Sequence, residues 1–146
     1  MRVSRKYLKS VAIILPIIIL SACKGNVSVE PETPQNNNQS TPPTLTMVQE
    51  QVFNKSCALA GCHAGSVPQA GMNLSSGKAY SNLVNITSIL NPKFKRVDPG
   101  SSSNSFIIKM LRNTGELTAQ MPPSGKLNDS VIQLVEEWID DGAKNN

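Results

Sequence analysis

Cys57-Ala58-Leu59-Ala60-Gly61-Cys62-His63 is the stretch on which the reading of this chain turns. It holds two of the three cysteines and the single histidine of a 146-residue sequence. Side chains this scarce gather in one place for a chemical reason. A thiol pair beside an imidazole can ligate a metal, hold a prosthetic group covalently, or close a small disulfide loop in an exported protein.

The order Cys, Cys, His favours attachment of haem. In the pattern Cys-x-x-Cys-His two thiols become thioethers to the porphyrin and the adjacent imidazole becomes an axial iron ligand. Here the spacer is four residues, Ala58 to Gly61, where two is usual. Two intervening residues set the cysteines about one helical turn apart. Four must bulge, and Gly61 supplies backbone freedom just before Cys62. The competing reading is a Cys57–Cys62 disulfide. A structural zinc site would lack a fourth Cys or His ligand, and blue copper needs a second histidine. A Ser-His-Asp hydrolase built on His63 would leave the neighbouring cysteines unexplained.

Upstream, Arg2, Arg5, Lys6 and Lys9 precede the apolar run Val11–Leu20, with no acidic residue before Glu30. Ten apolar residues are too few to span a bilayer but suit the core of a signal peptide. The run ends Leu20-Ser21-Ala22-Cys23, which resembles a bacterial lipobox, with cleavage before Cys23 and lipid on its sulfur. Residues 1–22 are thus expected to be a lipoprotein signal peptide and Cys23 a membrane anchor. That assignment also leaves Cys57 and Cys62 as a pair. The n-region has no Arg-Arg pair, so export is expected in the unfolded state. The chain is placed in the cell envelope, facing the periplasm or exterior, and Lys24 after the anchor favours the outer membrane.

The leader also explains the charge. The formal net charge is +4, but without those four cations ten basic residues stand against ten acidic ones. A near-neutral mature chain does not fit a nucleic-acid binder, whose basic surface belongs to the folded part. Residues 23–44 read as a lipidated, flexible tether rich in Asn, Pro, Thr and Gln, with too little apolar surface to offset ordering. Roughly 20 residues of such chain reach on the order of 50 Å or more.

Residues 45–146 read as the folded domain. Only 39% of the chain is hydrophobic and 4% aromatic, a thin core that a covalently held cofactor would reinforce. Thr46 with Gln49 suggests a capping box opening a helix with Val48, Val52 and Phe53 on one face. That helix leads into Cys57. Weak helical spacing returns over Ala79–Leu83, and Pro68 is a candidate for orienting His63. Phe106–Leu111 reads as a short helix capped by one of the preceding serine hydroxyls. Asn128–Asp141 reads as the clearest helix, with Val131, Leu134, Val135, Trp138 and Ile139 as its stripe and Gly142 as its C-cap. The two terminal helices are expected to pack together.

Two further features bear on function. Lys93, Lys95, Arg96, Lys109 and Arg112 concentrate positive charge, fit to steer an acidic redox partner, to pair with haem propionates, or simply to form a solvated basic face. Gln120-Met121-Pro122-Pro123-Ser124-Gly125 holds a methionine in a proline-fixed loop, where its thioether is presented as the second axial ligand opposite His63. Met72 and Met110 compete, but Met110 sits in an apolar helical pattern that reads as core.

Taken together, Phe53, Cys57 to Cys62-His63-Ala64-Gly65, Gly71-Met72-Asn73-Leu74, Asp98-Pro99-Gly100 to Ser105, Met121-Pro122-Pro123 to Leu127, and Glu137-Trp138-Ile139-Asp140-Asp141-Gly142-Ala143 resemble the planctomycete-type cytochrome c domain. This is a branch of the class I cytochromes c, and the resemblance covers roughly residues 45–144. It implies a small all-α domain wrapped around one covalent haem c, with Cys57 and Cys62 as thioethers and His63 and Met121 as iron ligands. The longer cysteine spacer departs from the pattern. The function this implies is a membrane-tethered electron carrier, not an enzyme, exchanging electrons with redox proteins of the cell envelope. The alternatives are a haem sensor or peroxidase-like enzyme with an open iron site, and a haem-free structural or ligand-binding lipoprotein with a Cys57–Cys62 disulfide.

Overall fold

The computed structural model describes residues 41–146. The expected leader over 1–22, the expected anchor Cys23 and the expected tether as far as residue 40 lie outside the described residues. Within that range the regular structure is helical, and the expected all-α class holds. Strand-like pairing among the described residues is limited to two isolated bridges, Val84 with Val97 and Thr87 with Lys95. No helix among them is long and apolar enough to cross a membrane.

The first helix, α1 (Leu45–Val48), continues into wider π-helical turns over Gln49–Cys57. Its cap corrects the sequence reading. Thr44, not Thr46, is the N-cap, and its hydroxyl accepts the Met47 amide at 3.1 Å. Starting there puts Leu45 on the same inward face as Val48 and Val52, and all three are buried. Gln49 is not a capping partner either. It is buried and donates from Nε2 to Asn54 Oδ1 at 2.7 Å and to the Leu74 carbonyl at 2.8 Å.

Three more α-helices follow: α2 (Ala79–Leu83), α3 (Phe106–Arg112) and α4 (Asp129–Asp140). No serine hydroxyl caps α3. The Ser105 hydroxyl instead accepts the Asp98 amide at 2.8 Å and donates to the Ser101 carbonyl at 2.9 Å, so it stabilises the preceding turn. α4 ends in a Schellman arrangement, with Gly142 at φ +98° and the Ala143 amide on the Trp138 carbonyl at 2.9 Å.

α1 and α3 both pack on α4. The core joins Val48, Val52 and Phe53 to Leu111 and to Ile132, Val135, Trp138 and Ile139. The buried face of α4 is thus centred on Ile132 rather than on Val131 and Leu134, which are only half-buried against it. Trp138 donates its indole N–H to the Lys144 carbonyl at 2.9 Å. Arg112 clamps α3 to α4, with Nε and Nη2 on the two Glu136 oxygens at 2.9 and 2.8 Å. The first and last helices of the described domain pack together as expected, and Asn146 accepts from the Leu45 and Thr46 amides, each at 3.0 Å.

Candidate functional site

The π-helical segment delivers Cys57 to the edge of the core, closed behind it by the Ala58 amide on the Phe53 carbonyl at 2.7 Å. The four spacer residues then bulge outward. Leu59 and Ala60 are exposed, and Gly61 turns the chain back at φ +78°, a conformation that favours glycine. The Cys62 amide donates to the Leu59 carbonyl at 3.0 Å and the His63 amide to the Cys57 carbonyl at 3.1 Å. The longer spacer is therefore accommodated as a self-bonded loop that returns Cys62 and His63 towards Cys57. Both cysteines are half-buried, and their sulfurs are not joined to each other.

His63 is buried, and its Nδ1 lies 3.1 Å from the Gln69 carbonyl. A carbonyl can only accept, so Nδ1 carries a proton, and in the neutral ring Nε2 keeps its lone pair. That is the tautomer a metal-binding imidazole needs. The acceptor is one residue beyond Pro68, which opens the short turn Gln69–Gly71 that presents it, the loop role considered for it in the sequence. Ala70 in this turn is held at φ +52°, a left-handed conformation unusual for a residue with a Cβ. The turn directs the Gln69 carbonyl to His63 and the Ala70 and Gly71 carbonyls to Arg96.

These residues border a cavity of about 480 Å³, within the roughly 300–1,000 Å³ usual for cofactor sites. Cys57, Cys62, His63 and Met121 all line it, so the four predicted site residues are brought to one cavity. Most of the remaining wall is apolar, with Phe53, Leu74, Ile107 and Leu111 among its residues. Ile89 and Leu90, exposed by 64% and 50%, also contribute to the lining, so the cavity reaches the surface at an apolar edge.

Met72 and Met110 line the same cavity. Met110 was read as core; it is buried but faces the cavity rather than joining the main hydrophobic cluster. Met72 belongs to the loop that holds His63, tied back by the Leu74 amide on the His63 carbonyl at 2.8 Å. Met121 enters from a separate loop, with Pro122 and Pro123 beside it in the lining and its amide on the Met110 carbonyl at 3.3 Å.

Burial pushes the Cys57 thiol up to about 11, with the neighbouring Cys62 adding to the effect. Among the described residues no group of three or more His, Cys, Asp or Glu is placed to hold a metal ion. The groups able to hold a metal-bearing cofactor are the two thiols, the imidazole and the cavity-facing thioethers.

The basic cluster is not an open positive face. Lys95 pairs with Asp98 at 2.8 Å, and Lys109 pairs with Glu116 at 3.5 Å while lying 4.6 Å above the Phe94 ring. Arg112 is bound to Glu136 and Asp129, and Arg96 is buried. Lys93 alone of the five is exposed without an ion pair among the described residues. The sequence did not single out Ser88, which is buried and lines the cavity beside this segment. A serine in an irregular stretch carries no spacing signal that could have found it.

Compared with known protein families, curated proteins and solved structures, the chain gives no match.

Proposed function

We propose that this chain is a monohaem c-type cytochrome, tethered to a membrane of the bacterial cell envelope through Cys23, that carries electrons between redox proteins. The observation that carries the reading is the convergence of Cys57, Cys62, His63 and Met121 on one largely apolar cavity, with the His63 Nδ1 proton held by Gln69.

The residues fit the group. The thiols of Cys57 and Cys62 would hold haem c through thioethers, and the His63 Nε2 and the Met121 thioether would ligate its iron. A bound haem c supplies a one-electron Fe(II)/Fe(III) couple, and a His/Met ligand set in a dry cavity raises its potential. The chain's own part is to fix the imidazole through Gln69, to exclude water with Phe53, Leu74, Ile107 and Leu111, and to leave an apolar edge at Ile89 and Leu90. Electron-transfer encounters use small, transient interfaces, and an exposed apolar edge suits one.

The test is expression behind an export signal alongside a c-type maturation system, followed by denaturing electrophoresis and haem staining. Haem that migrates with the polypeptide, and is lost in a Cys57→Ala, Cys62→Ala double variant, is the expected result. A wild-type chain free of haem under several maturation systems, with Cys57 and Cys62 oxidised to each other, would refute the reading.

A further inference from the structure

The haem reading uses one of the cavity's thioethers and leaves two over. Of the four methionines among the described residues, Met72, Met110 and Met121 all line this cavity, beside both thiols. Methionine also fills irregular apolar space, so presence alone decides nothing. Attachment to the fold does. Met110 and Met121 form one unit, joined by the Met121 amide on the Met110 carbonyl at 3.3 Å. Met72 belongs instead with the cysteines, through a run of backbone bonds. The His63 amide donates to the Cys57 carbonyl at 3.1 Å, the Gln69 amide to the Cys62 carbonyl at 2.8 Å, and the Met72 amide to the Gln69 carbonyl at 3.1 Å. Cys57, Cys62 and Met72 are thus carried by a single backbone unit, and all three are half-buried. The two thiols are not joined, yet they lie near enough for a charge on Cys62 to bear on Cys57.

Two thiols and a thioether make a soft donor set. Structural zinc takes four ligands from Cys, His and carboxylates, and among the described residues no group of even three such side chains is placed to hold an ion. Cu(I) has the opposite preference. Thiolate and thioether sulfur select it, and as a closed-shell ion it is satisfied by two or three ligands. The wall suits it as well, because Phe53, Leu74 and Leu111 limit the water that, as a hard ligand, favours Cu(II).

We infer that the haem-free chain holds one Cu(I) ion in this cavity, on the sulfurs of Cys57 and Cys62 with the Met72 thioether as third ligand. Binding displaces the two thiol protons, which pass to solvent. The sulfurs supply the electron pairs, and the copper is neither oxidised nor reduced. The site stands without the haem reading, since it uses only the protein's own sulfurs. On that reading it has a regulatory consequence: the two cysteines serve haem or copper but not both, so bound Cu(I) blocks haem attachment.

The experiment is an anaerobic titration of the reduced, haem-free chain with Cu(I), read against the colour of the Cu(I)–bicinchoninate complex. The chain carries Cys23→Ser, so that the cavity thiols are the only ones, and circular dichroism first checks its helices. One Cu(I) per chain is expected to leave the chelator, with X-ray absorption showing sulfur ligands alone. M72L should weaken the affinity about tenfold or more, M110L should leave it unchanged, and a Cys57→Ala, Cys62→Ala double variant should abolish it. Copper that stays with the chelator, a nitrogen ligand in place of the third sulfur, or an M72L affinity equal to wild type would each overturn the inference. A haem-free chain without helical dichroism would overturn it too, because the third ligand needs the folded cavity. Haem staining after co-expression with a maturation system is scored separately. A chain that binds copper but never takes haem refutes only the cytochrome reading, whereas one that takes haem while M72L binds copper like wild type refutes only the copper site.

Discussion

The carbonyl of Gln69 accepts the Nδ1 proton of His63 at 3.1 Å. This bond links the two halves of the site. On one side the Cys57–His63 loop is closed by its own amides; on the other, the Gln69–Gly71 turn is tied to Arg96 through Ala70 and Gly71. The imidazole is therefore oriented by backbone on both flanks, and Nε2 stays available without any help from a neighbouring carboxylate.

The bulged spacer depends on Gly61. At φ +78°, with nothing near an added Cβ, the cost of alanine comes from the backbone alone, about 1–2 kcal/mol. Urea unfolding of Gly61→Ala should show that loss, whereas Leu59→Ser in the exposed part of the same loop should stay within about 0.5 kcal/mol. Equal effects of the two changes would mean that the loop is not held as described.

Cys57 gives a pH signature in the haem-free chain. Burial raises its pKa to about 11 from an ordinary 9.0, so the folded protein keeps the thiol proton above the pH at which the unfolded chain releases it. Folded stability from this group is accordingly present below about pH 9 and declines as pH climbs towards about 11. Iodoacetamide labelling of Cys57 against pH should rise with a midpoint near 11 in buffer and near 9 in urea. Coincident midpoints would contradict the burial.

Trp138 anchors the core. It is 1% exposed and hydrogen-bonded through its indole N–H to Lys144. Trp138→Ala should cost about 3–5 kcal/mol, and Trp138→Phe, which loses the hydrogen bond and part of the ring, about 1–2 kcal/mol. Denaturant midpoints check both. An alanine variant within about 1 kcal/mol of wild type would mean that α4 does not organise the domain.

How much of this was legible in the sequence follows from the range of each interaction. α4 was read to within a residue at each end because a repeating apolar pattern and Gly142 are local signals. α2 was read from spacing over Ala79–Leu83 and forms there. The caps were misread because several hydroxyls compete and tertiary partners choose among them: Thr46 is taken by Asn146, and Ser105 by Asp98 and Ser101. Ile132 was passed over because a stripe drawn from Val131 fits the same spacing one residue out of phase. Arg112 looked open because its partner is distant in the chain, with Glu136 24 positions away, whereas the Lys95–Asp98 pair is local. The cysteine loop stood out through rare residue types and Met121 through its proline-fixed loop, and all of them line the cavity, whereas Ser88 and the neutral cage around Arg96 needed the fold.

The central proposal is that His63 and Met121 would both ligate the iron of a covalently held haem. The most direct measurement is the near-infrared absorption of the oxidised, haem-loaded protein, where an Fe(III)–methionine charge-transfer band reports thioether ligation. The account predicts that the band is present in wild type, lost in Met121→Ala, and retained in Met72→Ala and Met110→Ala. A band that survives Met121→Ala and disappears in either of the other two would contradict the assignment of Met121. A loaded wild type with no band at all would point to an iron open on that side.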